Sequence, residues 1–479
     1  MGVLANLEPA SVFHYFEEIC SIPHTSHHEK ALSDYCVQFA KAHGLACRQD
    51  EMGNVLIKAP ATPGYENQPA LILQGHLDMV GDKTAACPLD LEKDAIQLVV
   101  DGDYVRAEGT TLGGDDGIAV AMILALLESG ALPHPALEAV LTVDEETGMI
   151  GAAAIDLSDL RGRLLINLDS EVEGVFTAGC AGGATAVIDI PVKREPFTGE
   201  SLFITVSGLT GGHSGIEINR GRANAVVLLG RILDAIGRAT TMRLCSVSGG
   251  SKDNAIPVSA CATLVVENRG RAAAACRRME EVFRREYAVA DGAITVSAQS
   301  GQDAGVPMDA DITRRALTLL QCAPNGVQEM SREVEGLVQT SLNLGILTTS
   351  ADSVRASFCV RSNINSQKEM LLRRLELLSA VFGGTFSISG DYPAWEYSAD
   401  SPLRRLMAEV FAEQCGHAPT VEVIHAGVEC GLLADKLSGL DCVSIGPDLT
   451  EIHTPRERMH IASVQRTWAL LTETLRRLR

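Results

Sequence analysis

Short apolar runs and one longer apolar segment alternate in the first third of the chain. The short runs are residues 70–75, 137–143 and 163–168. Runs of this length predict buried strands. Residues 117–128 are apolar over too long a stretch for a strand and predict a buried helix. We expect Asp115 or Asp116 to cap this helix and Gly130 to end it. Strands that alternate with helices predict an α/β sheet with helices on both faces.

The pattern changes near residue 186 and again near residue 390. Between these points strand-like segments and amphipathic helix-like segments are mixed, which is typical of an α+β domain. The segments are 201–206 and 262–266 for strands, and 223–237 and 366–380 for helices. A helix from Pro402 and a strand at 441–445 are predicted after the second change.

These changes predict two domains built from three segments of chain. Residues 1–186 and 393–479 are expected to share one α/β domain with a mostly parallel sheet flanked by helices. Residues 187–392 are expected to form an inserted α+β domain. A chain of 479 residues is too long for one ordinary core, which also favours two domains.

Composition and charge narrow the class of protein. Hydrophobic residues make up 46% of the chain and charged residues 21%, which is typical of a globular protein. Forty basic and 61 acidic residues give a net charge of -21, which argues against nucleic acid or an anionic membrane as the main partner.

The beginning of the chain lacks a basic segment followed by an apolar one, so we expect no signal peptide. We also expect no membrane span, because no apolar run reaches about 18 residues. The 13 cysteines are scattered without a Cys-x-x-Cys pair, which favours reduced thiols in the cytoplasm.

Five polar segments lie at or just after the ends of predicted strands. They are residues 75–78, 113–117, 144–148, 167–171 and 451–455. Taken singly, each is an ordinary cap, turn or solvated loop. Open α/β sheets place their ligands at the carboxyl ends of strands, so we expect the five segments to meet there.

The donor atoms in these segments favour a metal site. Imidazole and carboxylate ligands suit a hydrolytic Zn²⁺, Co²⁺ or Mn²⁺ ion. Two metal ions that share one carboxylate need about five ligands, which these segments supply. His76 and Asp78 are two residues apart, so on an extended chain the carboxylate can orient the imidazole. Of the consecutive acids Glu145 and Glu146, one can bind metal while the other acts as a base.

Several long motifs closely resemble one family of peptidases along essentially the whole chain. The motifs are Gln-Gly-His-Leu-Asp-Met-Val at 74–80, Gly-Thr-Thr-Leu-Gly-Gly-Asp-Asp-Gly-Ile at 109–118, Gly-Gly-His-Ser-Gly at 211–215 and His-Ala-Gly-Val-Glu-Cys-Gly at 425–431. The family is that of the aminoacylhistidine dipeptidases, also called Xaa-His or cytosol non-specific dipeptidases. It belongs to the co-catalytic zinc peptidases, with the carnosinases, aminoacylases and tripeptidases. The resemblance implies the phosphorylase/hydrolase-like zinc peptidase fold with an inserted lid and dimerisation domain.

The resemblance also implies a role for each candidate residue. His76 and Asp169 would bind one zinc ion, Glu146 and His453 the other, and Asp115 would bridge both. Asp78 would orient His76, and Glu145 would be the general base. One position departs from the family's pattern, because Gly114 stands where alanine is expected. This departure changes none of the expected ligands.

Three further residues of the inserted domain would contact the substrate. His213 would reach the active site of a partner subunit and help to stabilise the oxyanion. Asn254 would contact the substrate, and Arg361 would bind its free C-terminal carboxylate. From the residues alone, a loop histidine, a turn cap and an ordinary ion pair remain the alternatives for His213, Asn254 and Arg361.

The activity implied is hydrolysis of unblocked dipeptides by a water bridged between two zinc ions. Xaa-His dipeptides are expected among the substrates, with β-Ala-His as a further candidate, and Co²⁺ and Mn²⁺ are expected substitutes for Zn²⁺. The expected enzyme is a cytoplasmic homodimer formed through the lid domain. Two alternatives stay open at this point: an aminoacylase or amidase of the same build, and a non-catalytic protein that kept the fold. The second is disfavoured because all five ligands, Asp78 and Glu145 are present.

Overall fold

The computed structural model describes residues 2–301 and 305–479. The helices are α1 Ala10–Cys20, α2 Lys30–Ala42, α3 Gly114–Glu128, α4 Ile150–Ala154, α5 Ala225–Ala239, α6 Arg269–Glu286, α7 Ala310–Cys322, α8 Asn365–Val381, α9 Pro402–Cys415, α10 Cys430–Lys436 and α11 Ile461–Arg477. Strands β1–β12 are Ala46–Gln49, Val55–Ala59, Leu71–His76, Leu98–Asp101, Tyr104–Ala107, Leu137–Thr142, Leu164–Asn167, Val175–Cys180, Gly182–Pro191, Glu200–Ser207, Gly212–His213 and Met242–Gly249. Strands β13–β23 are Ala255–Ile256, Ala260–Val266, Thr295–Ser300, Gly326–Met330, Val338–Thr349, Ser353–Ser362, Thr385–Tyr392, Thr420–Ile424, Asp441–Ser444, Leu449–Thr450 and Arg458–His460.

The described residues group into two compact units. The first contains residues up to 180 together with 397–423 and 428–479, and the second contains 181–396 and 424–427. Each unit has its own hydrophobic core. The roles of catalytic domain and lid, and the boundaries at residues 186 and 392, remain an interpretation of the sequence. In the part of the chain that the structure describes, no helix combines the length and apolar character needed to cross a bilayer.

The larger of the two sheets in the first unit is mixed, with parallel strands at its centre. Its order is β1-β2-β6-β3-β7-β21-β8-β20. Strands β6, β3, β7 and β21 run parallel to one another, and the pairs β1–β2, β2–β6 and β21–β8 are antiparallel. All six residues of β3 are buried, as expected for a central strand covered on both faces. The parallel strands end at one edge, and the polar segments that follow them lie there.

The predicted buried helix is confirmed as α3, which packs against α1 and β3. Its first turn differs from the prediction, because neither Asp115 nor Asp116 caps it. Gly113 occupies the N-cap position with φ of 70°, and Asp115 and Asp116 have non-helical backbone angles. The backbone N–H groups at this end donate instead to the carboxylate of Glu457, which comes from the distant end of the chain. The helix ends at Glu128, two residues before Gly130.

The second unit is an α+β structure with one large sheet and a small one. The large sheet has the order β15-β10-β14-β12-β17-β18-β9-β19, and β16 pairs with β17. Helix α5 packs against α6 and α7, and α8 packs against β9 and β18. The predicted strands and helices at 201–206, 262–266, 223–237 and 366–380 are confirmed as β10, β14, α5 and α8. The small sheet pairs β11 with β13 and was not predicted, because two-residue strands leave no periodic pattern.

Candidate metal centre

The five predicted ligands meet at the carboxyl edge of the first unit's sheet. Their closest atoms are His76 Nε2 to Asp115 Oδ1 at 3.1 Å, His76 Nε2 to Asp169 Oδ1 at 3.5 Å, His453 Nε2 to Asp115 Oδ2 at 3.1 Å and His453 Nε2 to Glu146 Oε1 at 2.7 Å. Asp115 therefore lies between the two imidazoles and turns one oxygen toward each. His76 lies at the end of β3, and Asp115 lies in the first turn of α3. Glu146, Asp169 and His453 follow the strands β6, β7 and β22.

The donor atoms and their charges fit divalent cations. Among the described residues, three overlapping groups could each hold an ion: His76 with Asp116 and Asp169, His76 with Glu145 and Glu146, and Asp115 with Glu146 and His453. All of these donors are imidazole nitrogens or carboxylate oxygens, the ligands of hydrolytic zinc sites. The groups contain more carboxylates than imidazoles, so a bound cation would offset the excess of buried negative charge.

The pKa values of the ligand side chains reflect this excess of charge. Burial and the nearby charges of Asp115 and Glu146 raise the pKa of Asp169 to about 6. Hydrogen bonds to Asp115 and Glu146 raise the pKa of His453 to about 10. Although burial lowers the pKa of His76, the charge of Asp169 and the surrounding carboxylates raise it well above its usual value. The surrounding carboxylates therefore favour positive charge at both imidazoles, and bound metal ions would supply that charge in place of protons.

Asp78 holds the turn that carries Glu145 and Glu146. Its carboxylate accepts hydrogen bonds from the backbone N–H of Glu145 at 2.9 Å, from that of Glu146 at 3.2 Å and from Ser26 Oγ at 2.8 Å. The nearest contact of His76 Nδ1 is the main-chain carbonyl of Asp78 at 2.9 Å, and the carboxylate is 3.5 Å away. The sequence argument placed both side chains on one face of a strand, but β3 ends at His76. Asp78 consequently contacts the imidazole mainly through its backbone.

Glu145 lies partly buried beside this cluster. Burial raises its pKa well above the usual value, and the charge of Asp169 adds to the effect. A carboxylate in such an environment is a suitable proton acceptor for a neighbouring group.

A buried polar network that sequence reasoning missed lies among the strands below the ligands. The carboxylate of Glu429 accepts hydrogen bonds from Gln74 Nε2 at 2.5 Å and from Thr142 Oγ1 at 2.7 Å. The amide of Asn167 donates to Gln74 Oε1 at 2.5 Å. Burial raises the pKa of Glu429 to about 7. Glu429 falls within the motif at 425–431 that resembles a motif of the family, but no pattern near it in sequence indicates its hydrogen-bond partners.

Two other acids near the ligands were also missed. Asp116 is buried, and its Oδ2 accepts a hydrogen bond from the backbone N–H of His76 at 3.0 Å. Burial and the charges of Asp115 and Asp169 raise the pKa of Glu171 to about 7. Asp116 was interpreted as a helix cap and Glu171 as part of a strand-end segment. Only the folded chain, in which segments distant in sequence come together, shows that both side chains lie near the predicted ligands.

The remaining predicted residues, His213, Asn254 and Arg361, lie in the second unit. His213 Nδ1 accepts hydrogen bonds from the backbone N–H groups of Gly215 and Ile216, each at 3.2 Å. This arrangement leaves the proton of the neutral ring on Nε2, where it can be donated. His213 and Asn254 line the same groove, which has a volume of about 670 Å³.

Arg361 is a buried cation on β18. Its side chain is 8% exposed, and Nη1 donates to the hydroxyl of Tyr392 at 3.2 Å. Within residues 2–301 and 305–479, Nε of Arg361 has no hydrogen-bond partner and no salt bridge to the guanidinium is found. A buried guanidinium with donor capacity left over is suited to an anionic ligand.

Known proteins resemble the chain over its whole length. Residues 72–477 match the model of peptidase family M20/M25/M40. The chain is 38% identical over 482 residues to the cytosol non-specific dipeptidase of Escherichia coli (strain K12), covering 100% of this chain and 99% of the relative. A crystal structure of aminoacylhistidine dipeptidase from Vibrio alginolyticus superposes with a TM-score of 0.92 at 38% identity and 98% coverage of both chains. Aminopeptidase PepT from Bacillus cereus ATCC 10987 shares the fold, with a TM-score of 0.57 at 15% identity over 98% of this chain and 99% of that one.

Proposed function

Because the chain belongs to peptidase family M20/M25/M40, we propose that it is a metallo-dipeptidase that hydrolyses unblocked dipeptides, Xaa-His among them. The full-length identity to a dipeptidase and the close structural match to an aminoacylhistidine dipeptidase support this activity over that of an aminoacylase. β-Ala-His is a further candidate substrate.

The observation that carries the proposal is the position of Asp115 between His76 and His453. One carboxylate with an oxygen 3.1 Å from each imidazole is suited to bridging two ions. Two Zn²⁺ ions per chain are proposed, with Co²⁺ or Mn²⁺ as substitutes. His76 and Asp169 would complete one site, and Glu146 and His453 the other. Ions held there would polarise the scissile carbonyl and lower the pKa of an attacking water.

Side chains of the protein would carry out the proton transfer. Glu145 would take a proton from the attacking water and deliver it to the leaving amine. Asp78 would hold Glu145 in place through the backbone hydrogen bond described above. The high pKa of the Glu145 carboxyl, a result of its burial, favours such an acceptor.

Substrate recognition is proposed for the second unit. Arg361 would bind the C-terminal carboxylate of the dipeptide, His213 would donate a hydrogen bond to the oxyanion, and Asn254 would contact the substrate. We further propose a homodimer formed through this unit. A cytoplasmic location is proposed as well, supported by the name of the Escherichia coli relative.

One experiment tests the activity and the metal together. The purified protein is stripped with a chelator, reloaded with measured amounts of Zn²⁺, Co²⁺ or Mn²⁺, and assayed on a panel of free dipeptides and on N-acyl amino acids. Activity that rises to a plateau at two ions per chain, on dipeptides and not on N-acyl amino acids, is the expected result. Full activity in the stripped protein, or a preference for N-acyl amino acids, would contradict the proposal.

A further inference from the structure

A single buried carboxylate gathers the backbone around the proposed bridging ligand. Glu457 is 2% exposed, and its two oxygens accept four backbone hydrogen bonds. Oε2 accepts from Leu112 N at 2.8 Å and Gly113 N at 3.1 Å, and Oε1 accepts from Gly114 N at 2.8 Å and Asp115 N at 3.3 Å. The four donors are consecutive and end at Asp115. The turn at the start of α3 is therefore closed around a side chain that lies more than 300 residues away in sequence.

This contact joins the two segments that carry the proposed ligands Asp115 and His453. Glu457 lies four residues after His453 in the same loop, and its backbone N–H donates to the carbonyl of Thr454 at 3.0 Å. The loop of His453 and the turn of Asp115 are thus held together by two separate contacts. One link is the side-chain contact of 3.1 Å between His453 and Asp115, and the other is the set of hydrogen bonds to Glu457.

An ionised carboxylate is the side chain that suits four converging N–H donors. It has two oxygens with about four lone-pair sites, whereas glutamine has one accepting oxygen and an amide that would turn its own N–H groups toward two of the donors. Aspartate keeps the charge but is one methylene shorter. Neither replacement can satisfy all four N–H groups in the observed arrangement.

The glycine at position 114 fits the close approach of Glu457. A Cβ added there would lie 3.1 Å from Leu449 Cδ2 and 3.2 Å from Glu457 Oε1, both tighter than usual. Gly114 is the position where the sequence departs from the alanine expected for the family. In this chain the departure leaves room for the carboxylate against the turn.

We propose that Glu457 is a positioning residue, which orients Asp115 for bridging and couples it to the loop of His453. The proposal rests on the metal centre of the proposed function. Groups that orient metal ligands typically contribute about 10–100-fold to metal affinity or activity. Glu457 would act on affinity and turnover through Asp115, without touching the substrate.

The test compares Glu457→Gln and Glu457→Asp with a matched control, Glu138→Gln. Glu138 is also buried and accepts backbone hydrogen bonds, from Arg161 N and Gly162 N, but it lies near the beginning of β6, away from the ligands. For each protein, the apparent Tm of the metal-free form, the Zn²⁺ affinity by competition with a chelating dye, and kcat and KM on a dipeptide are measured. Glu457→Asp keeps the charge and is expected to fold even if the glutamine variant does not.

We expect both Glu457 variants to bind Zn²⁺ about 10–100-fold more weakly and to lose kcat at saturating metal with little change in KM. Glu138→Gln should lower the Tm of the metal-free protein while keeping Zn²⁺ affinity within about twofold of the wild type. Unchanged Zn²⁺ affinity in the Glu457 variants, or an equal loss in Glu138→Gln, would overturn the positioning role. If the wild type itself failed to bind Zn²⁺, the proposed metal function would fail instead, so the two failures are distinguishable.

Discussion

The side-chain amide of Gln74 donates a hydrogen bond of 2.5 Å to the carboxylate of Glu429, and both side chains are fully buried. Gln74 lies two residues before His76 on β3, and Glu429 directly precedes α10. The bond therefore ties the strand of a proposed ligand to a helix from the last part of the chain. Thr142, at the end of β6, donates to the same carboxylate.

Glu429→Ala should destabilise the first unit. The substitution removes the nearest acceptor of Gln74 Nε2 and of Thr142 Oγ1, which keep only longer contacts, to Thr142 Oγ1 at 3.3 Å and to the Gly75 carbonyl at 3.4 Å. Loss of a buried acceptor costs about 1–3 kcal/mol when its donors are not fully satisfied elsewhere. The apparent Tm should fall by several degrees, measured by differential scanning calorimetry. Glu51→Ala removes an exposed acid of the same unit and should change stability by less than about 0.5 kcal/mol. Equal Tm values for the two variants would show that the network contributes little.

Glu145→Gln and Glu146→Gln should fail in different ways. Loss of a general base typically costs about 10²–10⁴-fold in rate, so Glu145→Gln should lose turnover by this factor and keep its metal. Glu146→Gln replaces a proposed ligand and should bind metal more weakly. Metal content by mass spectrometry and kcat at saturating Zn²⁺ separate the two effects. If Glu145→Gln lost its metal while Glu146→Gln kept its metal and lost turnover, the roles of base and ligand would have to be exchanged.

The strands and the polar segments at their ends could be predicted from sequence because both depend on local patterns. Apolar runs place β3, β6 and β7, and His76 and Glu146 lie at or just after the ends of such runs, whereas their roles as ligands are proposed from the family resemblance. Glu457 and Glu429 could not be found in this way. Each is an isolated acid whose partners lie hundreds of residues away, and only the folded chain brings them together. The first turn of α3 was wrongly predicted for the same reason, since its N–H groups are satisfied by a distant side chain rather than a local cap.

His425 should make the second unit sensitive to acid. Its Nδ1 lies 2.9 Å from Asn363 Oδ1 and its Nε2 lies 2.7 Å from Ser341 Oγ, an arrangement that suits the neutral ring. Burial, and then the charge of Arg361, lowers its pKa to about 3. A folded-state pKa below the unfolded value near 6.5 gives a contribution to stability that is present above pH 6.5 and is lost as the pH falls toward 3.

His425→Gln removes this titration and keeps a polar side chain. The Tm of the wild type minus that of the variant should therefore shrink as the pH falls from about 6.5 toward 3, measured by thermal unfolding in matched buffers. A difference that stays constant over this range would mean that His425 does not titrate on unfolding.

Arg361→Met should abolish selection for a free C-terminus. The buried guanidinium would be left unpaired by an amidated dipeptide, so the wild type should prefer the free dipeptide by about 10²-fold in kcat/KM. The variant should hydrolyse both forms at similar, lower efficiency. Arg355→Met is the matched control, because Arg355 lies on the same strand but is exposed and pairs with Asp189 at 3.0 Å. Equal kcat/KM for free and amidated dipeptides in the wild type would remove Arg361 from this role.

The last prediction is that His213 acts on the active site of a partner subunit. The hydrogen bonds from Gly215 and Ile216 to Nδ1 leave Nε2–H as the donor, and burial together with the charge of Arg361 lowers the pKa of the ring. A neutral imidazole with a fixed donor is suited to stabilising an oxyanion, and removal of such a donor costs about 10²–10³-fold in kcat. His213→Ala alone should therefore lose activity by this factor while keeping its metal.

Mixing two inactive variants decides whether this donor acts within one subunit or between two. In a heterodimer of Glu145→Ala and His213→Ala, action between subunits leaves one site with an intact Glu145 from its own chain and an intact His213 from the partner. The other site lacks both, so subunit exchange should restore activity to one of the two sites. If His213 acted within its own chain, every site would lack one group and no activity would return. Native mass spectrometry must show that heterodimers have formed, since inactivity in their presence is the result that excludes action between subunits.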